Sequence, residues 1–183
     1  MQEDRQRWNK RFSDKPMRAP GVPGFLAEQF VGLEPSRVLD VASGDGAASL
    51  FLAERGFDVT AADISEVALQ RLQRFAEPRV VHTLCVDFDE YDWSAHAGRY
   101  DHIVMAHFKP SLELLDSLAL VAAPGSRLWL STFNLQHHEV NGFSRRFCLL
   151  PDEFVSLPRW SCVLHQSVER GGDFMDDYCF EVR

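Results

Sequence analysis

Two kinds of apolar segment alternate along this chain from Arg37 to Thr132, and that alternation limits the fold more than any other feature. Short runs rich in β-branched residues fall at 37–41, 57–62, 80–86, 100–106 and 127–132. Between them lie stretches of helix formers with one apolar face, at 47–55, 66–75 and 112–122. Strands alternating with helices of this length read as right-handed βαβ units around a parallel sheet covered on both faces. After Thr132 the pattern changes. Residues 152–157, following Pro151, read as a short helix. Residues 161–169 and 174–182 read as two strands joined across Gly171-Gly172, which is a hairpin signal. The expected fold is therefore α/β: a single-domain, Rossmann-like, doubly wound sheet, mostly parallel, with an antiparallel hairpin at the C-terminal end.

Composition excludes several function classes. Of 183 residues, 45% are hydrophobic, too many for a disordered chain. The formal net charge of −8 argues against non-specific binding to nucleic acid, which draws on Lys and Arg at phosphates. The longest apolar stretch, 118–123, is far short of the roughly 20 residues that span a bilayer. The opening MQEDRQRWNKRF has no apolar core of a secretory signal. Cys85, Cys148, Cys162 and Cys179 are scattered without a CxxC pair and read as reduced thiols, as in a cytoplasmic protein. Cys162 and His165 are three apart and His137-His138 are adjacent, but nothing completes a metal-ligand set, so no metal is expected.

The first 24 residues stand apart. They carry six Arg and Lys against three Asp and Glu, with Pro16, Pro20 and Pro23. They read as a helix over 3–12 followed by a Pro-broken loop, and residues 25–183 read as the body of the fold.

In an open α/β sheet the ligand lies beyond the carboxyl ends of the strands. After the first strand comes Asp40-Val41-Ala42-Ser43-Gly44-Asp45-Gly46. Small residues there let the backbone turn tightly and approach a ligand, and the next helix aims its N–H groups at it. After the second strand comes Asp63, a carboxylate placed to take both hydroxyls of a ribose. After the third come Asp87-Phe88, placed to hydrogen-bond and cover an adenine. A dinucleotide site wants G-x-G-x-x-G. The window Ala42–Ala47 fails at the first and last glycine and puts Asp45 where a pyrophosphate would be repelled. S-adenosylmethionine, cationic and without phosphate, suits Asp40 and Asp45 better.

The run VLDVASGDGAASLFLAERGFDVTAADIS over 38–65 resembles the first two motifs of the class I S-adenosylmethionine-dependent methyltransferases. It is most similar to the small tellurite-resistance-type branch, whose W-x-x-R-[FY] opening matches Trp8-Asn9-Lys10-Arg11-Phe12. Ser43 stands for the usual Cys, Asp45 for Glu, and Ala47-Ala48 for Arg-Asn. The resemblance implies that residues 1–24 form a helix and cover segment over a 25–183 methyltransferase domain. It implies that Asp40 faces the methionine ammonium, that Ala42, Gly44 and Gly46 admit the cofactor, and that Asp63 holds the ribose. Ile64 would pack on the adenine, Asp87 and Phe88 would hold its edge and face, and Trp8 and Phe12 would cover the site. His107, just past the fourth strand, would border the transferring methyl.

Each of these residues also has a structural reading. Asp40 and Asp63 could cap turns, Asp87 could be solvated in an acidic loop, and Trp8 and Phe12, four apart on a helix, could be anchors. Arg145 and Arg146 are either a solvated pair or a contact for an anionic substrate, and His137-His138 reads as exposed loop. The expected function is methyl transfer to a small-molecule acceptor (a thiol, a metalloid oxyanion or a small acid), with no nucleic acid or membrane partner, in a monomer or homodimer. His107 would be the general base for an oxygen or nitrogen acceptor. The rival reading is an S-adenosylmethionine-binding protein without catalysis, a sensor or partner subunit.

Overall fold

A computed structural model describes residues 2–183. The chain forms two compact units, the first ending at Asp92 and the second running Trp93–Arg183.

The first unit opens with α1 (Gln2–Asp14), whose charges suit a helix. Glu3 and Asp4 sit in its first turn and Arg11 in its last, matching the helix dipole. Arg7–Asp4 and Lys10–Asp14 bridge one turn apart. None of its residues is fully buried. After Pro23, a second helix, α2 (Gly24–Gln29), buries Phe25 and Leu26. Then β1 (Arg37–Val41), α3 (Ala47–Ala53), β2 (Asp58–Asp63), α4 (Glu66–Ala76) and β3 (His82–Cys85) follow as two βαβ units. β2 pairs in parallel with β1 on one side and β3 on the other, with Asp40 beside Ala61 and Asp63 beside Cys85. The three strands therefore end on one edge, and the loops that follow them gather there. Buried Val38, Leu39, Val41, Val59 and Leu72 hold this layer together, each contributing roughly 1.5–3 kcal/mol of apolar burial.

The second unit contains β4 (Tyr100–Ala106), α5 (Leu112–Val121), β5 (Ala122–Phe133), α6 (Leu135–Asn141), β6 (Trp160–Arg170) and β7 (Asp173–Val182). Its strand order is β4-β5-β7-β6. β4 and β5 are parallel, while β7 runs antiparallel to both β5 and β6. The expected hairpin is there, turning at Gly171 and Gly172, both of positive φ. Trp160 anchors the hairpin through its indole N–H, which donates to the Leu115 carbonyl at 2.8 Å.

Besides α2, which no pattern announced, three elements differ from expectation. Residues 152–157 are turns rather than a helix. Asp152 takes a left-handed φ of 56°, and the Glu153 carboxylate holds the Leu150 N–H at 2.7 Å. α6 was not visible as a periodic apolar pattern; it is made by its ends, with Asn134 capping the His137 N–H at 3.3 Å and Gly142 closing it at φ 67°. His137 is accordingly buried on a helix, not exposed in a loop. β5 also starts earlier than its β-branched run, at Ala122. Among the described residues no helix is long and apolar enough to cross a membrane.

Candidate functional site

At the carboxyl edge of the first unit, β1 leads into a turn whose backbone is left-handed at Ala42 (φ 58°), Gly44 (55°) and Gly46 (99°). Ala42 bears a Cβ, so its conformation is strained by about 1 kcal/mol. Two carboxylates frame the turn. Asp40 is 1% exposed, and its Oδ2 accepts the Ser49 hydroxyl of α3 at 2.6 Å. Burial pushes its pKa up to about 7; the Ser49 hydrogen bond works against the rise and the nearby Asp63 adds to it. Asp63 ends β2. Its Oδ2 accepts the Gly44 N–H and its Oδ1 the Ser65 N–H, both at 2.8 Å. Burial raises its pKa as well, and those backbone hydrogen bonds oppose the rise. One side chain thus ties the β1 turn to the start of α4, where Ser65 caps the helix through Ala68 N.

Packing and backbone conformation account for both glycines. A Cβ on Gly46 would run into the Leu72 side chain of α4, and the φ of 99° favours glycine there whatever the space. A Cβ on Gly44 would meet the Phe12 ring at 3.1 Å. Phe12 arrives on α1 with Trp8 6.2 Å away, and both are half-buried.

Sequence reasoning missed how this segment is fastened. Asn9 Oδ1 accepts the Ser65 hydroxyl at 2.7 Å. Lys15 Nζ reaches both oxygens of Asp45 at 2.9 Å, and Arg71 of α4 reaches Asp45 Oδ2 at 3.2 Å. The Arg71 guanidinium also donates to the Lys15 and Pro16 carbonyls at 3.0 and 2.7 Å. Asp45, expected to suit a cationic cofactor, is instead enclosed by two basic side chains of its own chain. The signal available was Arg71 itself, set on the apolar stripe of α4 between Ala68 and Leu72.

Ile64, Asp87 and Phe88 follow β2 and β3 on the same edge and are half-buried. Asp87 Oδ1 accepts the Asp89 N–H at 3.3 Å, a local turn. Trp8, Phe12, Asp40, Ala42, Gly44, Gly46, Asp63, Ile64, Asp87 and Phe88 all belong to this unit.

In the second unit, His107 follows β4 with a left-handed φ of 59°, and its N–H donates to the Ser131 carbonyl at 2.8 Å. Desolvation lowers its pKa, and Asp173 offsets part of the drop. Its ring centroid lies 5.4 Å from Phe133 at the end of β5. Phe133 stacks on His137 at 4.4 Å. His137 Nδ1 faces the Phe174 backbone N–H at 3.3 Å and the Asn141 side-chain amide at 2.9 Å. His138 differs: its Nδ1 lies 2.6 Å from the Phe143 carbonyl, so there it is the donor. Arg145 and Arg146 sit exposed in a single 3₁₀ turn, Arg145–Phe147.

Known proteins share the fold. A family model described as a methyltransferase domain matches residues 4–167. The ubiquinone biosynthesis O-methyltransferase of Pectobacterium atrosepticum is 28% identical over 116 residues, 61% of this chain and 48% of that one. The chain spans about half the length of that curated relative. The N-methyltransferase NodS of Bradyrhizobium japonicum, solved with S-adenosylhomocysteine, superimposes with a TM-score of 0.73 at 15% identity, covering 97% of each chain. TehB of Haemophilus influenzae superimposes at 0.71 and 16% identity, covering 96% of this chain and 67% of that one. The structural likeness is one of fold, the Rossmann-like fold expected from the strand and helix alternation.

Proposed function

The chain belongs to the methyltransferase-domain family, and from that membership we propose that it transfers a methyl group from S-adenosylmethionine to a small-molecule acceptor. When bound, S-adenosylmethionine supplies a methyl carbon activated by its sulfonium. The residues beyond β1 and β2 fit such a ligand. Asp40 is a nearly sealed carboxylate suited to its cationic groups, Asp63 a second one suited to its ribose, and the buried Ser43 hydroxyl has no hydrogen-bond partner among the described residues.

The observation that carries the reading is the hydrogen bonding of Asp63. Its Oδ2 accepts the Gly44 N–H and its Oδ1 the Ser65 N–H, and the Ile64 N–H also bears on the carboxylate. A carboxylate offers about four lone-pair sites, so capacity is left to accept from the ribose. In this reading Ile64 packs on the adenine, and Asp87 and Phe88 take its edge and face. Asp40 draws the ammonium. Ala42, Gly44 and Gly46 keep the backbone low, and Trp8 and Phe12 exclude water. His107, held below the usual imidazole pKa, is neutral at pH 7 and takes the proton of an oxygen or nitrogen acceptor. A soft thiolate or metalloid anion needs no such base. Likeness to TehB supports placing the chain in the tellurite-resistance-type branch. The net charge and the free thiols support a cytoplasmic enzyme that works without nucleic acid.

Calorimetric titration with S-adenosylhomocysteine tests the reading. The expected Kd is micromolar, and Asp63→Ala weakens it by about 1.5–3 kcal/mol. Unchanged affinity removes Asp63 from the site. Binding with no transfer to any thiol, metalloid or acid acceptor instead indicates a sensor or partner subunit.

A further inference from the structure

Past β4 and β5, the second unit carries aromatic rings in a continuous row. His107 lies 5.4 Å from Phe133, Phe133 lies 4.7 Å from Phe143, and Phe143 lies 6.1 Å from Phe147. His137 backs the row, stacked on Phe133 at 4.4 Å and edge-on to Phe143 at 5.3 Å. This is not sealed core. His107 and Phe147 are exposed, and Phe133 and Phe143 are half-exposed. The row ends in a cation, the Arg146 guanidinium 4.3 Å above the Phe147 ring.

The charges in this unit make that end unusual. Lys109 pairs with Glu153, Arg127 with Glu181, Arg159 with Asp116 and Arg170 with Asp177. Arg99 and Arg183 stand singly without a side-chain carboxylate partner, whereas Arg145 and Arg146 are adjacent, exposed and both without one among the described residues. In a chain with 27 acidic side chains, an unpaired arginine couple beside open aromatic faces suits a ligand that brings its own negative charge and its own flat ring. Aromatic faces favour stacked or edge-on rings over aliphatic groups of equal area. A guanidinium fork favours a carboxylate or a similar planar anion.

We propose that this row is the acceptor platform and that the acceptor is a small planar aromatic acid, its ring on Phe133 and Phe143 and its anionic group at Arg145 and Arg146. The inference rests on the methyl-transfer reading and narrows it, from small molecules in general to aromatic acids. His107, at the opposite end of the row, then meets the acceptor's O–H or N–H. Bound S-adenosylmethionine would supply the methyl carbon and leave as the neutral thioether S-adenosylhomocysteine, and the imidazole of His107 would take the proton the acceptor's O–H or N–H gives up.

Binding of model acids to the full chain tests the platform without turnover. The probes are 4-hydroxybenzoate, phenol and cyclohexanecarboxylate, each titrated by ligand-observed NMR and calorimetry. 4-Hydroxybenzoate is expected to bind at least tenfold tighter than cyclohexanecarboxylate, which has the charge without the ring. The Arg145→Ala/Arg146→Ala variant alters only exposed side chains, so its fold is kept. It is expected to lose about tenfold for 4-hydroxybenzoate and little for phenol. Phe143→Leu keeps apolar volume and is expected to weaken both aromatic probes several-fold. Equal affinity for the ring and ring-free acids, or no response to the arginine variant, overturns the platform. A chain that binds S-adenosylhomocysteine but no aromatic acid overturns the platform alone. A chain that binds 4-hydroxybenzoate in this pattern but not S-adenosylhomocysteine upholds the platform and overturns the methyl-transfer reading.

Discussion

Asp40 carries a carboxyl group into nearly complete burial with one hydroxyl for company. Its raised pKa means the folded chain holds a proton there that the unfolded chain gives up near pH 4. Stability from this group is therefore present in acid and is lost as pH rises toward about 7. Asp40→Asn keeps an acceptor for Ser49 and removes the charge. It is expected to raise Tm at pH 8 clearly more than at pH 5, the difference amounting to a few kcal/mol at roughly 1.4 kcal/mol per pKa unit. Equal gains at both pH values would show that Asp40 does not titrate in this range. His107 has the opposite sign: its imidazole is the working base only when neutral, and desolvation pulls its pKa below 6.5. With an oxygen or nitrogen acceptor, the acid limb of kcat is expected below pH 6.5. His107→Ala should remove that limb and lower kcat by about 10²–10⁴; a limb that survives the substitution belongs to another group. At this scale the places of the candidate carboxylates were legible. Asp40 and Asp63 lie at the carboxyl ends of β1 and β2 and Asp87 just past β3, where an α/β sheet presents its ligands, so their positions could be read from periodicity. The fate of Asp45 could not, because its partners Lys15 and Arg71 lie 30 positions upstream and 26 downstream.

Among the elements, the N-terminal segment is the most separable. α1 buries none of its residues completely, and its hold on the unit comes from Asn9, Phe12, Lys15 and the carbonyls beside Arg71. Deleting residues 1–20 is expected to leave a folded chain, because α2 and all seven strands lie beyond the cut. The nearly sealed Arg71 side chain then loses two carbonyl partners, a cost of about 1–3 kcal/mol. Affinity for S-adenosylhomocysteine should drop together with it. Thermal melts and calorimetry on the truncated chain read the two effects separately, and a failure to fold would assign Trp8 and Phe12 to the core. The legibility of elements followed their period. α3, α4 and α5 show an apolar face and were readable. α2 is six residues behind a proline, and α6 is fixed by its two caps, so neither offered enough turns for a pattern to show. Residues 152–157 had helix-like composition but carry a left-handed Asp152, a local conformation that composition does not reveal.

Over the whole molecule, charge is distributed unevenly along the sequence. The first 24 residues hold six of the 19 basic side chains and three of the 27 acidic ones, so a cationic arm is joined to an anionic remainder. Fold class was readable at this scale because alternating periods of two and 3.6 leave few architectures open. The pairing of arm and body was not, since it joins residues more than 50 positions apart, as the Arg71 guanidinium does with the Lys15 and Pro16 carbonyls. One consequence of that fastening lies outside folding proper. The arm meets its unit through a few side-chain anchors and a short linker, so it behaves as a ligand tethered at millimolar effective concentration. Its attachment is then a binding equilibrium that can be run in trans. A synthetic peptide of residues 1–20, added to the shortened chain at millimolar concentration, would restore what the covalent arm supplies, and the chain could be reassembled from two pieces.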